Sequence, residues 1–173
     1  VAIGDLDGDG DADLAVANYG SDNVSVLLNL GDGTFAADAL YGAGDGPRSV
    51  AIGDLDGDGD ADLAVANFNS DNVSVLLNLG DGTFAEDIRY GAGVNPLSVA
   101  IGDLDGDGDA DLAVANDGST SVSVLLNLGD GMFAEDISFG AGVNPHSVAI
   151  GDLDGDGDAD LAVANYGSDN VSV

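Results

Sequence analysis

Cysteine is absent from this chain, so no disulfide and no thiolate metal site can form. Lysine is absent too, and Arg48 and Arg89 are the only strongly basic side chains against a formal charge of −31. That balance argues against nucleic acid as a partner and against anionic membrane surfaces. No apolar run approaches the ~18 residues of a membrane span, which argues against membrane insertion. No segment carries the apolar period of an amphipathic helix. There is one histidine, His146, and one methionine, Met132. No initiator methionine, signal peptide or tag is visible, and the sequence opens and closes inside a repeat, which suggests a piece of something longer.

What the chain has in quantity is aspartate, and it is concentrated. The stretch Asp5-Leu6-Asp7-Gly8-Asp9-Gly10-Asp11-Ala12-Asp13 recurs unchanged at 54–62, 103–111 and 152–160. Carboxylates stand at loop positions 1, 3, 5, 7 and 9, and glycines at 4 and 6. Alternate side chains can converge on one point, and the carbonyl at position 7 can add an oxygen. A hard cation with several oxygen ligands at about 2.3–2.6 Å suits that spacing. An acidic turn that binds nothing would hold five like charges together without a counter-charge. Calcium, about four ions per chain, is therefore the expected cofactor. Four divalent ions would bring the formal charge from −31 to about −23. The loop is not an EF-hand. Position 12, where that motif needs a bidentate glutamate, is Val16, and a strand rather than a helix follows.

Self-comparison gives the architecture. Val1, Val50, Val99 and Val148 begin the same unit, a period of 49 residues. The expected units are 1–49, 50–98, 99–147 and a partial 148–173 within a single repeat domain. The first 18 residues are identical in all four copies, as recent duplication or consensus design would leave them. Each unit reads as four strands, illustrated by the second: roughly 49–54, 61–67, 73–79 and 83–90. The Asp loop joins the first two, and Gly80-Asp81-Gly82 is a hairpin signal between the last two. The first two strands alternate large apolar residues with Ala or Gly, so neither face is polar and both are expected to be buried. The fourth, with Glu86, Asp87 and Arg89, is half polar. A burial gradient falling from the first strand to the fourth fits an all-β propeller of four-stranded antiparallel blades, with the first strand at the axis.

Antiparallel order puts the Asp loops and the Gly-Asp-Gly hairpins on one face. The copies differ mostly on the opposite face, at Tyr19, Phe68, Asp117 and Tyr166 and at Arg48, Leu97 and His146, or on the rim, at Leu40, Arg89 and Ser138. A protein or carbohydrate ligand is expected on that variable face, if anywhere. Tyr19, Phe68 and Tyr166 there read either as a ligand surface or as covers for the blade ends. Asn23-Val24-Ser25, Asn72-Val73-Ser74 and Asn170-Val171-Ser172 match a glycosylation sequon, although an asparagine that ends a turn is the favoured reading.

The loop, the strand after it, and Tyr41-Gly42-Ala43-Gly44 or Phe139-Gly140-Ala141-Gly142 later in the unit resemble the FG-GAP repeat of integrin α-subunit propellers. The stretch Val75-Leu76-Leu77-Asn78-Leu79-Gly80-Asp81-Gly82-Thr83-Phe84 resembles the related bacterial VCBS-type repeat. The resemblance implies calcium held by the side chains of Asp5, Asp7, Asp9 and Asp13 with the carbonyl of Asp11. It implies the same for Asp54, Asp56, Asp58 and Asp62 with the carbonyl of Asp60. The third set is Asp103, Asp105, Asp107 and Asp111 with Asp109, and the fourth is Asp152, Asp154, Asp156 and Asp160 with Asp158. It further implies an extracellular or cell-surface protein serving adhesion, binding or display. The unit is shorter than is usual for that family, and three and a half units are fewer than the about 4–8 blades of a closed ring.

Three function classes follow. The first is a calcium-stabilised, non-catalytic binding module. The second is a self-assembling structural protein, whether a ring closed by dimerisation, an open filament, or a segment completed by further blades of a longer chain. The third is an enzyme, which the residues disfavour. His146 occupies a position held by Arg48 and Leu97 elsewhere, and the carboxylates are repeated identically instead of forming one singular site.

Overall fold

The computed structural model describes residues 1–173 as fifteen strands in four antiparallel sheets, with no helix. The first sheet contains β1 (Ala2–Gly4), β2 (Asp13–Asn18), β3 (Asn23–Leu27) and β4 (Ala39–Gly42). The second contains β5 (Pro47–Gly53), β6 (Asp62–Asn67), β7 (Asn72–Leu76) and β8 (Ile88–Gly91). The third contains β9 (Pro96–Gly102), β10 (Asp111–Asn116), β11 (Ser121–Leu125) and β12 (Ile137–Gly140). The fourth has three strands, β13 (Pro145–Gly151), β14 (Asp160–Asn165) and β15 (Asn170–Ser172). Strand order in every sheet follows the chain, so each sheet is a meander built by one repeat of about 49 residues.

The alternation read from the sequence sets the register. Val50 faces Val65 and Ile52 faces Leu63 across β5 and β6, and Leu63 faces Leu76 across β6 and β7. Side chains on the two faces of one sheet then go to different neighbours. Leu63, Val65 and Leu76 of the second sheet pack with Leu6, Val24 and Val26 of the first. Ala64, Ala66, Val73 and Val75 pack with Leu112, Val114 and Leu125 of the third. A large face thus meets a partly small one at every junction, and each fully buried Val or Leu contributes about 1.5–3 kcal/mol.

First strands of successive sheets lie side by side. The Val99 N–H reaches Ser49 Oγ at 3.4 Å, and the Val148 N–H reaches Ser98 Oγ at the same distance. That is the innermost position of a propeller blade. The sheets do not close into a ring, since no core joins the fourth to the first as cores join each consecutive pair.

The expected burial gradient needs correction. Burial peaks in the second and third strands, with β6 and β10 buried along their whole length, while β5, β9 and β13 are only partly covered. The reason is geometric. A middle strand has a strand on each side and a sheet on each face, whereas the first strand has one edge toward an open axis. The fourth strands are exposed, as expected.

Strands three and four are also shorter than the sequence suggests. Strand β7 stops at Leu76, and only the bridge between Asn78 and Phe84 continues the ladder before β8. The Asn78 N–H is taken by a carboxylate of Asp62, which pulls the chain out of regular pairing. Phe84 and Phe133, one residue beyond each hairpin's threonine or methionine, plug the preceding junction edge-on to Tyr41 and Tyr90, with ring centroids 5.3 and 5.4 Å apart. Between the third and fourth sheets the corresponding space is a cavity of about 280 Å³ with Leu104, Leu126, Phe139 and Leu161 among its walls.

Candidate metal centre

Each Asp loop is a series of tight turns closed by its own carboxylates. Asp5 accepts the Gly8 N–H on Oδ1 at 2.9 Å and the Gly10 N–H on Oδ2 at 3.0 Å. Asp7 accepts the Asp9 N–H at 3.2 Å, and Asp9 accepts the Asp11 N–H at 2.8 Å. The same four bonds recur in each of the other loops. Gly8 and Gly10 make the wrap at φ of 76° and 91°, where a Cβ is costly.

The ninth position acts as a clamp. Asp62 is buried at the start of β6, where Oδ2 accepts the Leu55 N–H and Oδ1 the Asn78 N–H, both at 2.7 Å. Asp13 does the same with Leu6 and Asn29, and Asp111 with Leu104 and Asn127. Asp160 holds the Leu153 N–H at 2.9 Å. One carboxylate thus ties the loop's second residue to the end of the third strand.

Burial pushes the Asp62 carboxyl up to about 6, against the two N–H donors that favour its ionised form, and the charges of Asp56 and Asp58 push the same way. Burial raises Asp111 by the same logic. Asp7 and Asp56 are also raised, first by desolvation and then by neighbouring aspartates, with a backbone N–H opposing.

Three carboxylates per loop come together, with an oxygen of each within 4.8 Å of the others. The groups are Asp5, Asp7 and Asp13; Asp54, Asp56 and Asp58; Asp103, Asp105 and Asp111; and Asp152, Asp154 and Asp160. Asp9, Asp107 and Asp156, at the fifth position, lie outside these groups, as does Asp62 in the second loop. Nothing in the structure explains why identical loops differ in this choice. The seventh-position side chains turn elsewhere. A Cβ on Gly31 would sit 2.9 Å from Asp11 Oδ2, and Gly80 and Gly129 stand in the same relation to Asp60 and Asp109. Those carboxylates therefore point at the hairpin of their own unit, which leaves the backbone carbonyl as what Asp11, Asp60 and Asp109 can offer a cation.

No protein cation neutralises the groups. Arg89 is paired with Asp87 at 2.7 Å and donates to the Ala43 carbonyl at 2.8 Å. Arg48 lies over the Tyr19 ring, 4.1 Å from its centroid, and near Phe68 at 5.0 Å. The donor set is all oxygen and strongly anionic, which fits a hard divalent cation and not a soft one.

Sequence reasoning missed the asparagine that follows the third strand. Asn78 Nδ2 donates to the Ala61 carbonyl of its own loop at 2.9 Å and to the Leu6 carbonyl of the preceding loop at 2.8 Å. Asn127 does the same with Ala110 and Leu55, at 2.9 and 2.7 Å. Adjacent Asp loops are therefore tied through one side chain. The signal was present: Asn29, Asn78 and Asn127 stand at the same place in a run of apolar residues.

On the opposite face, His146 stacks on Tyr166 with centroids 4.8 Å apart and planes 9° from parallel, and its Nε2 is 3.0 Å from Asp117 Oδ1. Positions that vary between units thus contact each other across the junctions.

Residues 5–65, 54–114 and 103–163 each match the family model described as FG-GAP-like repeat. No curated protein matches the sequence. Among solved structures, an Agrocybe aegerita lectin that recognises non-reducing terminal N-acetylglucosamine is similar, at 27% identity and a TM-score of 0.64, over 99% of this chain and 50% of that one. BBS1N, solved in complex with ARL6DN, aligns at 16% identity and a TM-score of 0.64 over 99% of this chain and 54% of its own. The Vibrio cholerae biofilm matrix protein Bap1 aligns at 23% identity and a TM-score of 0.57, over 94% of this chain and 23% of that protein. The last two likenesses speak to the fold alone. The chain spans about half the length of the lectin and of BBS1N.

Proposed function

The chain belongs to the FG-GAP-like repeat family, and from that membership and the loop geometry we propose that it is a non-catalytic, calcium-binding repeat module. The observation that carries this is the fourfold recurrence of three carboxylates within 4.8 Å, with no cationic side chain to neutralise them. Asp5, Asp7 and Asp13 and their counterparts would supply side-chain oxygens. Bound calcium would supply only charge neutralisation and a fixed point for the turn. The chain's own residues do the rest: the ninth carboxylate anchors the loop to the third strand, and Asn78 and Asn127 join one loop to the next. The role of the ion is structural. Extracellular modules of this kind work at affinities of about 10⁻⁴–10⁻³ M, and an extracellular or cell-surface setting is the location we propose.

Binding belongs to the opposite face, where the units differ from one another. A carbohydrate ligand there is supported by the likeness to the N-acetylglucosamine-recognising lectin, and a protein ligand by the resemblance of the repeat to those of integrin α-subunit propellers. Calorimetric titration of chelator-treated protein with calcium tests the central claim. About four ions per chain and a calcium-dependent rise in melting temperature are expected. No uptake at millimolar calcium would overturn it. Glycan-array binding in calcium separates the carbohydrate ligand from the protein one.

A further inference from the structure

We propose that the Asp loops take up calcium cooperatively, with Asn78 and Asn127 passing the effect of an ion in one loop to the loop before it. This rests on the calcium reading and adds a regulation of the same sites. The coupling path is continuous and occurs twice. The Leu6 peptide lies between Asp5 and Asp7, two members of the first carboxylate group. Its N–H is held by Asp13 Oδ2 at 2.7 Å, and its carbonyl accepts Asn78 Nδ2 from the next unit at 2.8 Å. Asn78 is itself fixed by the second loop, with its N–H on Asp62 Oδ1 at 2.7 Å and Nδ2 also on the Ala61 carbonyl at 2.9 Å. Asp62 in turn accepts the Leu55 N–H at 2.7 Å, and Leu55 lies between Asp54 and Asp56 of the second group. The Leu55 carbonyl accepts Asn127 Nδ2 at 2.7 Å, and the Asn127 N–H goes to Asp111 Oδ1 of the third loop at 2.7 Å.

The hairpins make a second contact along the same path. Asn78 leads into the hairpin that contains Gly82, and a Cβ on Gly82 would stand 3.1 Å from Asp7 Cβ and 3.0 Å from Leu28 of the preceding unit. Gly131 stands in the same relation to Asp56 and Leu77, at 3.2 and 3.0 Å. Each of these hairpins is therefore anchored at its base by the ninth carboxylate of its own loop and lies with its tip on the loop before it. The linking residues Leu6, Leu55, Asp62, Asn78 and Asn127 are all buried, so no water replaces a bond that is lost. Without a counter-charge the carboxylates of a loop repel one another and loosen it. A loop whose carboxylates are neutralised holds its ninth residue, and with it its hairpin, in one position. That hairpin presents Asn78 to the Leu6 carbonyl and so fixes Asp5 and Asp7 in advance of their own ion. The ordering of two neighbouring loops is shared, and by linkage the effect is reciprocal.

Calcium titration of the chelator-treated full chain, by calorimetry and equilibrium dialysis, tests this. The wild type should take up about four ions with a Hill coefficient of about 1.5, each bridge raising the affinity of the loop it reaches by roughly fivefold or more. Asn78→Ala combined with Asn127→Ala should still bind about four ions, with a Hill coefficient of about 1. Asn29→Ala should keep the wild-type steepness, since Asn29 donates only within its own loop, to the Ala12 carbonyl at 3.1 Å. A mutant cycle separates coupling from a general loss of stability. Asp5→Ala with Asp7→Ala silences the first loop at an exposed and a half-buried position, so the fold survives. It should weaken one of the remaining binding steps by about fivefold when Asn78 is present, and none of them in the Asn78→Ala background. A wild type that binds about four ions independently would overturn the proposal and leave the calcium reading standing. So would a steepness that survives the loss of both asparagines, since it then comes from folding of the chain as a whole. No uptake at millimolar calcium would overturn both.

Discussion

Replacing Asn78 by alanine tests whether the Asp loops are coupled through one side chain. Three hydrogen bonds would go: the donations to the Leu6 and Ala61 carbonyls, and the acceptance of the Gly80 N–H at 3.0 Å. Leu6 is buried, so its carbonyl would be left without a partner and without water. The Ala61 and Gly80 bonds at about 1 kcal/mol each, with the unsatisfied buried Leu6 acceptor at about 1–3 kcal/mol, sum to a loss of about 3–5 kcal/mol. In a chain of this size that lowers the melting temperature by roughly 10 °C. Asn29→Ala is the matched control. Asn29 makes the bond within its own loop and accepts the Gly31 N–H at 3.1 Å, but reaches no preceding loop. Its loss should be about 1–2 kcal/mol. Thermal and urea melts followed by far-UV circular dichroism, in fixed millimolar calcium, give the comparison. Equal losses for the two variants would refute the claim that the bond across the junction matters.

Asp54→Ala combined with Asp58→Ala removes two of the three grouped carboxylates of the second loop, and should lower calcium stoichiometry by about one ion per chain in calorimetry. In chelator, stability should fall as pH rises. Asp62 holds its proton to about 6 in the fold against an ordinary 3.8, so the folded state binds more protons through that window, and the stability this gives below about pH 4 is lost as pH rises through 6. Calcium favours the ionised carboxylates and should flatten that slope in urea melts, while Asp62→Asn should remove most of it. Thr120→Asp should stabilise the protein by about 1–2 kcal/mol, read as a higher melting temperature. Thr120 is held at φ 51°, where a β-branched residue is strained. Its counterparts Asp22 and Asp71 accept N–H groups from Gly46 and Asn95 at 2.9 and 2.8 Å, bonds that threonine does not make to Asn144.

Much of each unit was legible because strand alternation and turn chemistry are local. Leu63 and Val65 against Ala64 and Ala66 fix which side chains share a face, and the pairing of Ile52 with Leu63 follows once the loop between them is counted. The aspartates could be placed in a common loop for the same reason. Their individual directions could not. Asp7 and Asp11 are four residues apart in a run of equal spacing, yet Asp7 joins the carboxylate group and Asp11 turns to Gly31. That depends on how the hairpin of the same unit lies over the loop. The ninth carboxylate looked like one more ligand, and its two backbone donors come from Leu55, within its own loop, and from Asn78, at the far end of the third strand.

What remained hidden lies at the junctions, and a repeat hides it systematically. Gly53 meets Ile101 and Asn78 meets the Leu6 carbonyl, contacts between units that a 49-residue period records only as recurring residue types. Alternation shows that Ile101 has a buried side, but not that its seat is a glycine one sheet back. The same limit hides unequal burial of identical residues. Leu6 and Leu153 sit in identical nine-residue loops, yet one is sealed and the other open, because Leu6 has the next unit's Asn78 hairpin against it. Burial in a stacked fold belongs to a residue's place in the stack as much as to its neighbours in sequence. In such a chain, identical residues with unequal exposure therefore mark where the next sheet is accepted.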